Sequence, residues 1–330
     1  MEFLNEYAMF LAKAITIVVA IGAVLVMALM AAMKPKGGKG DLNFDDLSAD
    51  YQHLQQGLQQ ELLNKKQYKQ WLKAQKEAEQ TFDKRLFVLD FDGSMDAGEV
   101  ASLREEITAV LAVAKPEDEV LLRLESGGGV VHGYGLAASQ LDRLKQHNIP
   151  LTIAVDKIAA SGGYMMACIA DRIISAPFAI IGSIGVVAQL PNFHKLLKKN
   201  HIDIEQFTAG EFKRTVTMLA ENTDKGREKF QRELEDTHGL FKTFVQKHRP
   251  VLDMDEVATG EHWFGYQALN LKLVDELMTS DDYLLMQMRQ RQVFHVKYAI
   301  KKSLAEKAGL SAALAIRTLL QQANRLVIWR

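Results

Sequence analysis

From Arg85 onward the chain alternates short apolar runs with longer stretches whose apolar residues recur at helical spacing. The runs LFVLDF (Leu86–Phe91), EVLLRLE (Glu119–Glu125), PLTIAV (Pro150–Val155) and DRIISA (Asp171–Ala176) have the length and character of strands. Between them, residues 97–114 and a stretch ending near His147 predict helices, and a Gly-rich turn leads into the apolar helix YMMACIA. Strands separated by helices of roughly 10–15 residues predict βα units on a largely parallel sheet, an α/β fold. DIEQFT (Asp203–Thr208) reads as a short strand-like run, and a long helix is expected from about Asp224 to His248. No tandem repeat is evident.

The N-terminal pattern is different. Ala14–Met33, AITIVVAIGAVLVMALMAAM, is twenty residues without a charge, fenced by Lys13 and Lys34. At 1.5 Å per residue a helix of that length spans a hydrocarbon core of ~30 Å. A soluble core helix rarely stays apolar on every face for so long. A cleaved signal peptide would open with basic residues and close on an A-x-A site, whereas this chain opens with Glu2 and Glu6 and has no clean site. The expectation is an uncleaved transmembrane anchor in a lipid bilayer. Lys34, Lys36 and Lys39 after the segment outweigh Lys13 before it, which favours a cytoplasmic location for the bulk of the chain.

Residues 34–84 form a connector rich in Gln, Lys, Glu and Leu that predicts a solvated helix, a stalk or an assembly element. The expected organisation is a short flank (1–13), the anchor (14–33), the connector (34–84), an α/β domain (85–280) and a C-terminal extension (281–330). The apolar positions in Lys301–Arg330 suit packing on the domain, between subunits or on a membrane surface.

Composition narrows the function classes. Of 330 residues, 40 are Lys or Arg and 41 Asp or Glu, so the formal charge of −1 argues against a nucleic-acid partner. The hydrophobic fraction of 48% supports a sizeable core. Cys168 is the only cysteine, which excludes an intrachain disulfide framework and a zinc site built on several thiolates.

Two Gly-rich turns follow strands. Glu125-Ser126-Gly127-Gly128-Gly129 matches neither the P-loop nor the dinucleotide pattern, and it suits a structural turn or a loop that holds a developing oxyanion. Ala159-Ala160-Ser161-Gly162-Gly163-Tyr164 places a serine among small neighbours at a helix start, as a helix cap or as an accessible nucleophile. A nucleophilic serine needs a base. None of the nine histidines sits in a revealing motif, and the alternative is a lysine kept neutral by burial or by neighbouring positive charge. Lys213 beside Arg214 is one such lysine, although spacing alone does not select it.

The chain resembles the signal peptide peptidase A family of Ser-Lys proteases, peptidase family S49, from about Leu86 to Val274. Four motifs carry the resemblance in order: Arg-x-x-Ser-x-Gly-Gly at Arg123–Gly129, Ala-Ser-Gly-Gly-Tyr at Ala160–Tyr164, Gly-Ser-Ile-Gly-Val at Gly182–Val186, and Gly-x-Phe-Lys at Gly210–Lys213, 52 residues after Ser161. The resemblance implies Ser161 as nucleophile, Lys213 as general base, Gly128 with neighbouring Gly129 as oxyanion donors, and Ser183 as a residue that orients the lysine amine. It also implies a ClpP/crotonase-like fold, an inner-membrane location, polypeptide substrates, no metal or organic cofactor, and a homo-oligomeric ring in which serine and lysine can come from different subunits.

Two residues depart from the family's usual Asn-Ser-Pro-Gly-Gly. Gly127 replaces proline, which frees φ and adds an N–H. Glu125 adds a carboxylate, expected to point away from the site or to be balanced by Arg123. Met165, Met166 and Ile184 would suit an apolar substrate side chain or the core. Competing readings are a catalytically silent membrane scaffold and a crotonase-like acyl-CoA enzyme. The scaffold has no reason to keep the Ser-Lys pair, and the CoA enzyme has no use for its spacing.

Overall fold

The computed structural model describes residues 40–77 and 82–299, together with Tyr7, Met9, Phe10, Leu11, Lys13 and Thr16. Leu42–Tyr298 is one compact unit. The expected membrane anchor lies outside the described residues except for Thr16, as does the apolar pattern of Lys301–Arg330. Among the described residues no helix is long and apolar enough to cross a membrane.

Ten strands and ten helices make up the described chain. The strands are β1 (Asp41–Asp46), β2 (Arg85–Asp92), β3 (Glu119–Glu125), β4 (Leu151–Val155), β5 (Ile158–Ala160), β6 (Arg172–Ser175), β7 (Ile180–Gly182), β8 (His262–Phe264), β9 (Glu276–Leu277) and β10 (Gln292–Ala299). The helices are α1 (Leu47–Leu62), α2 (Lys65–Glu77), α3 (Val100–Val113), α4 (Val131–Gln146), α5 (Gly162–Ala167), α6 (His194–Lys199), α7 (Asp224–His248), α8 (Met254–Val257), α9 (Gly265–Asn270) and α10 (Ser280–Gln287).

A seven-stranded sheet runs β1-β10-β2-β3-β4-β6-β9, and every pairing from β10 to β9 is parallel. Its central strands are buried on both faces, which is why Leu86–Leu89 and Val120–Leu122 read as continuous apolar runs rather than alternating ones. Helices α3, α4 and α5 supply Leu103, Ile107, Leu141, Leu144 and Met166 to the main core.

A second, three-stranded sheet has the order β5-β7-β8, with β5 parallel to β7 and β8 antiparallel to it. An isolated bridge between Ser126 and Ala159 carries the line of β3 onto β5 and so joins the two sheets. The two Gly-rich turns emerge side by side at this junction.

The α/β fold with a largely parallel sheet matches the sequence expectation, and so do the four named strands and the long helix α7. Other parts differ. Asp203–Thr208 forms no strand; it pairs with no other strand, and its apolar residues Ile204 and Phe207 stay exposed. Residues 281–299, expected in a C-terminal extension, supply α10 and the strand β10 that pairs with β2 inside the main sheet. Residues 34–84 include α1 and α2, and also β1 at the sheet edge.

Candidate active site

The turn from β5 into α5 holds Ser161 at φ 54 and ψ −118, a conformation that L-residues avoid and that costs ~1–3 kcal/mol. A strained strand-to-helix turn exposes a side chain at its apex, the arrangement that nucleophilic serines use on other folds. The strain is held by hydrogen bonds on both sides: the Ser161 amide donates to the Gly182 carbonyl at 2.7 Å, and the Met165 amide donates to the Ser161 carbonyl at 2.9 Å.

Three glycines make the packing around Ser161 possible. A Cβ on Gly162 would meet Tyr134 Cγ at 2.4 Å, and one on Gly163 would meet the Ser126 carbonyl at 2.5 Å. A Cβ on Gly128, which has φ +85, would meet the Gly162 nitrogen at 2.6 Å and Ser161 Cβ at 2.8 Å. The two Gly-rich turns are therefore in direct contact, which only residues without side chains permit.

A cavity of about 650 Å³ opens here, lined by Ser161, Gly127, Gly128, Gly129 and Ser183. Its apolar wall includes Met95, Val130, Met165, Val186 and Phe241. Of the residues singled out for an apolar substrate side chain, Met165 lines the cavity, whereas Met166 and Ile184 are fully buried in the core.

The Gly-rich loop divides its amides. Gly128 N–H donates to Ser126 Oγ at 3.1 Å. Gly127 and Gly129 make no backbone hydrogen bond through N–H among the described residues. Ser183 is also in the left-handed region, at φ 51, and its amide donates to the Glu261 carbonyl at 2.7 Å.

Lys213 is not among the cavity-lining residues. It sits on an exposed loop whose neighbours grip α7: Glu211 pairs with Lys225 at 2.6 Å, and the Phe212 ring lies beneath Lys225 and Lys229. Ser161, Gly128, Gly129 and Ser183 are thus brought together in one chain, and Lys213 is not brought to them. Glu125 does point away from this cavity, but Lys157 rather than Arg123 balances it, at 2.8 Å. Arg123 is committed to Asp90 through two hydrogen bonds of 2.6 and 2.9 Å. Burial pushes the Asp90 carboxyl up, yet hydrogen bonds from His295 and Arg123 outweigh it and hold the group far below the usual carboxylate range.

Two functional candidates escaped the sequence. His238, on α7, lines the cavity, and its Nε2 lies 3.1 Å from the Ile184 carbonyl. A carbonyl only accepts, so Nε2 carries the hydrogen and Nδ1 is the basic atom. Tyr134, on α4, lies fully buried beneath both Gly-rich turns. Neither stands in a local motif, and only the packing reveals them. Among the described residues no group of acidic, histidine or cysteine side chains is arranged to hold a metal ion. Cys168 is buried, which pushes its thiol up to about 12 and keeps it unreactive at neutral pH.

A strand-turn-helix serine beside a glycine loop is an arrangement that serine hydrolases use on other folds. Residues 2–141 match the pattern described as peptidase family S49 N-terminal, and residues 143–294 match peptidase family S49. The chain belongs to peptidase family S49 and is a protease. It is similar to the probable protease SohB of Haemophilus influenzae, with 53% identity over 94% of this chain and 93% of that one. The probable protease SohB of Buchnera aphidicola from Acyrthosiphon pisum is 61% identical over 68% of this chain and 67% of its own. A putative protease of Methanocaldococcus jannaschii shares 32% identity over 50% of this chain and 53% of that protein.

Proposed function

We propose that the protein is a membrane-anchored serine endopeptidase that uses Ser161 and Lys213 to hydrolyse membrane-associated or unfolded polypeptides. The observation that carries this reading is the strained Ser161 turn in contact with the Gly-rich loop at the rim of one cavity. The two-sheet α/β arrangement fits a ClpP/crotonase-like fold. The uncharged Ala14–Met33 stretch supports an inner-membrane anchor, and its flanking lysines favour a cytoplasmic catalytic domain.

In the first step Ser161 Oγ attacks the peptide carbonyl carbon and its proton passes to the neutral Lys213 amine. The carbonyl π electrons move onto oxygen, to which the Gly129 amide of the Gly128–Gly129 segment would donate a hydrogen bond. Removing one such donor typically costs ~10²–10³ in rate. Collapse of this adduct breaks the C–N bond, and the proton on Lys213 leaves with the amine. Water then attacks the acyl ester, giving its proton to Lys213 and restoring Ser161. Ser183, at the cavity rim, would orient the lysine amine.

Lys213 would reach the cavity of a neighbouring copy in a homo-oligomeric ring. Exposed apolar side chains support that assembly: Phe207, on the same loop, at 89% exposure, and Val187, on the segment after β7, at 91%. Burying such residues against a second copy would stabilise the ring at ~25 cal/mol per Å² of apolar surface covered.

One observation favours a second reading, in which the base is His238, because it lines the cavity of its own chain. Casein hydrolysis by the detergent-purified full chain distinguishes the two. Loss in both Ser161→Ala and Lys213→Ala, with assembly intact and His238→Ala active, is the expected result. An inactive His238→Ala beside an active Lys213→Ala would instead make His238 the base and overturn Lys213, and activity in Ser161→Ala would remove the nucleophile itself.

A further inference from the structure

We propose that Tyr134 and Ser126 are positioning residues of the hydrolysis, forming a hydroxyl relay beneath the Gly-rich loop that aims the Gly129 amide into the cavity. The proposal rests on the reading of Ser161 as nucleophile.

The polarity of the relay follows from its end. The Ser94 carbonyl can only accept, so the Tyr134 hydroxyl donates to it, at 2.9 Å. Tyr134 has spent its one proton there and must accept at its contact with Ser126, so Ser126 Oγ–H donates to the phenol. The serine oxygen is then left as an acceptor, and the Gly128 amide fills it at 3.1 Å. Each group has one partner for its proton, and no member can reverse without breaking the chain. Burial raises the Tyr134 pKa above its usual value, which keeps the phenol protonated at neutral pH.

The relay has a geometric consequence. It ties Gly128 down at φ +85 and commits that amide to Ser126 Oγ. Of the Gly128–Gly129 pair it is therefore Gly129, which lines the cavity and makes no backbone hydrogen bond through N–H among the described residues, that is left for the space before Ser161. The far end of the loop is fixed as well: Val130 N–H donates to the Met95 carbonyl at 2.9 Å, and a Cβ on Gly129 would meet that same oxygen at 2.0 Å. The Tyr134 ring meanwhile abuts Gly162, the residue after the nucleophile. One buried side chain therefore sets the spacing between the Ser161 turn and the oxyanion loop. Gly93 leaves room for it, since a Cβ there would lie 2.6 Å from the phenol oxygen and 2.7 Å from Ser126 Oγ.

The test uses the full chain with Tyr134→Phe, Ser126→Ala and the double variant, beside Ser161→Ala. Hydrolysis is followed on a fluorescence-quenched peptide taken from a mapped casein cleavage site. A peptide aldehyde of the same sequence reads the oxyanion pocket, because addition of Ser161 to its carbonyl leaves an oxygen where the amides point. Misplacing an oxyanion donor predicts a kcat lower by about 10–100-fold, with KM within about twofold of wild type. Aldehyde affinity should fall by the same factor, and the double variant should be no worse than the more damaged single.

A kcat in Ser126→Ala at or above that of wild type overturns the proposal, since it would mean that Ser126 merely competes with substrate for the Gly128 amide. A loss confined to KM, or multiplicative losses in the double variant, would also overturn it. If Tyr134→Phe does not fold, Ser126→Ala decides the matter with the phenol packing retained. Hydrolysis surviving in Ser161→Ala would instead sink the underlying reading, whatever the relay variants do.

Discussion

The Ser161 turn and the Lys213 loop are both short, glycine-containing segments, yet they are built on opposite principles. Ser161 is fixed from every side, by the two sheets, by glycines that admit no Cβ and by the buried Tyr134. Gly210, three residues before Lys213, would place a Cβ no nearer than 4.0 Å from any neighbour, in this case Lys213 itself. What holds the Lys213 loop is a surface ion pair and two cation-over-ring contacts to α7, worth a few tenths to about 1 kcal/mol each. The proposed nucleophile is thus preorganised within the chain, while the proposed base has room to be placed by a partner.

The sharpest way to break that contrast is to mix the two inactive variants. Ser161→Ala and Lys213→Ala should each lower hydrolysis by about 10⁴-fold or more. Subunits co-assembled from both should regain much of the lost activity if serine and lysine meet across copies, and none if they meet within one chain. Activity of the mixed assembly is the measurement.

The next effect is on folding. Gly162→Ala must displace the Tyr134 ring and should destabilise by ~3 kcal/mol, whereas Gly210→Ala meets only the positive-φ strain of about 1 kcal/mol. Denaturant midpoints compare them directly, and equal losses would erase the distinction between the regions.

Arg249→Ala comes after. Arg249 is buried, and it holds Asp275 through bonds of 3.0 and 2.9 Å and the Lys272 carbonyl at 2.7 Å. The neighbouring Tyr164, on α5, donates to the Leu273 carbonyl at 2.9 Å, so this ion pair supports the helix behind Ser161. Its loss should cost about 2–3 kcal/mol by leaving a partly buried carboxylate unpaired. Variants of the contacts that hold the Lys213 loop, such as Lys225→Ala on α7, should cost well under half of that.

The smallest effect is one of pH. Burial raises the pKa of Glu106, helped by Asp90 and opposed by the Tyr298 amide, His295 and Lys297. Above about 4.3, the ordinary value, the unfolded chain releases a proton that the folded one keeps, so this residue's contribution falls as pH rises towards the folded value. Glu106→Gln should therefore gain stability over wild type as pH increases through that window. A difference in melting temperature that does not vary with pH would contradict it.

Much of this was legible in the sequence. The buried strands announced themselves as continuous apolar runs, and β3 and α7 fall where periodicity predicted. Ser161 was marked by its small neighbours at a helix start, and the Gly-rich loop by its place at the end of a strand. The remainder was hidden for physical reasons. Strands β5, β7 and β8 are three residues each, too short for any period to register. Strand β10 alternates weakly and comes after a stretch of helices, so nothing local ties it to β2. Tyr134 looks like any helical aromatic until its ring is seen beneath Gly162, and His238 like any histidine on a charged helix.

The backbone at Ser161 also limits what evolution or a chemist could put there. With φ at 54 and ψ at −118, a β-branched side chain has no comfortable rotamer, so threonine is closed to this position before its hydroxyl is ever considered. Cysteine has the same branching as serine and fits. The turn therefore admits an exchange of oxygen for sulfur but not the addition of a methyl group, and a thiol variant is the route by which an acyl-enzyme of this protein could be trapped and its substrates identified.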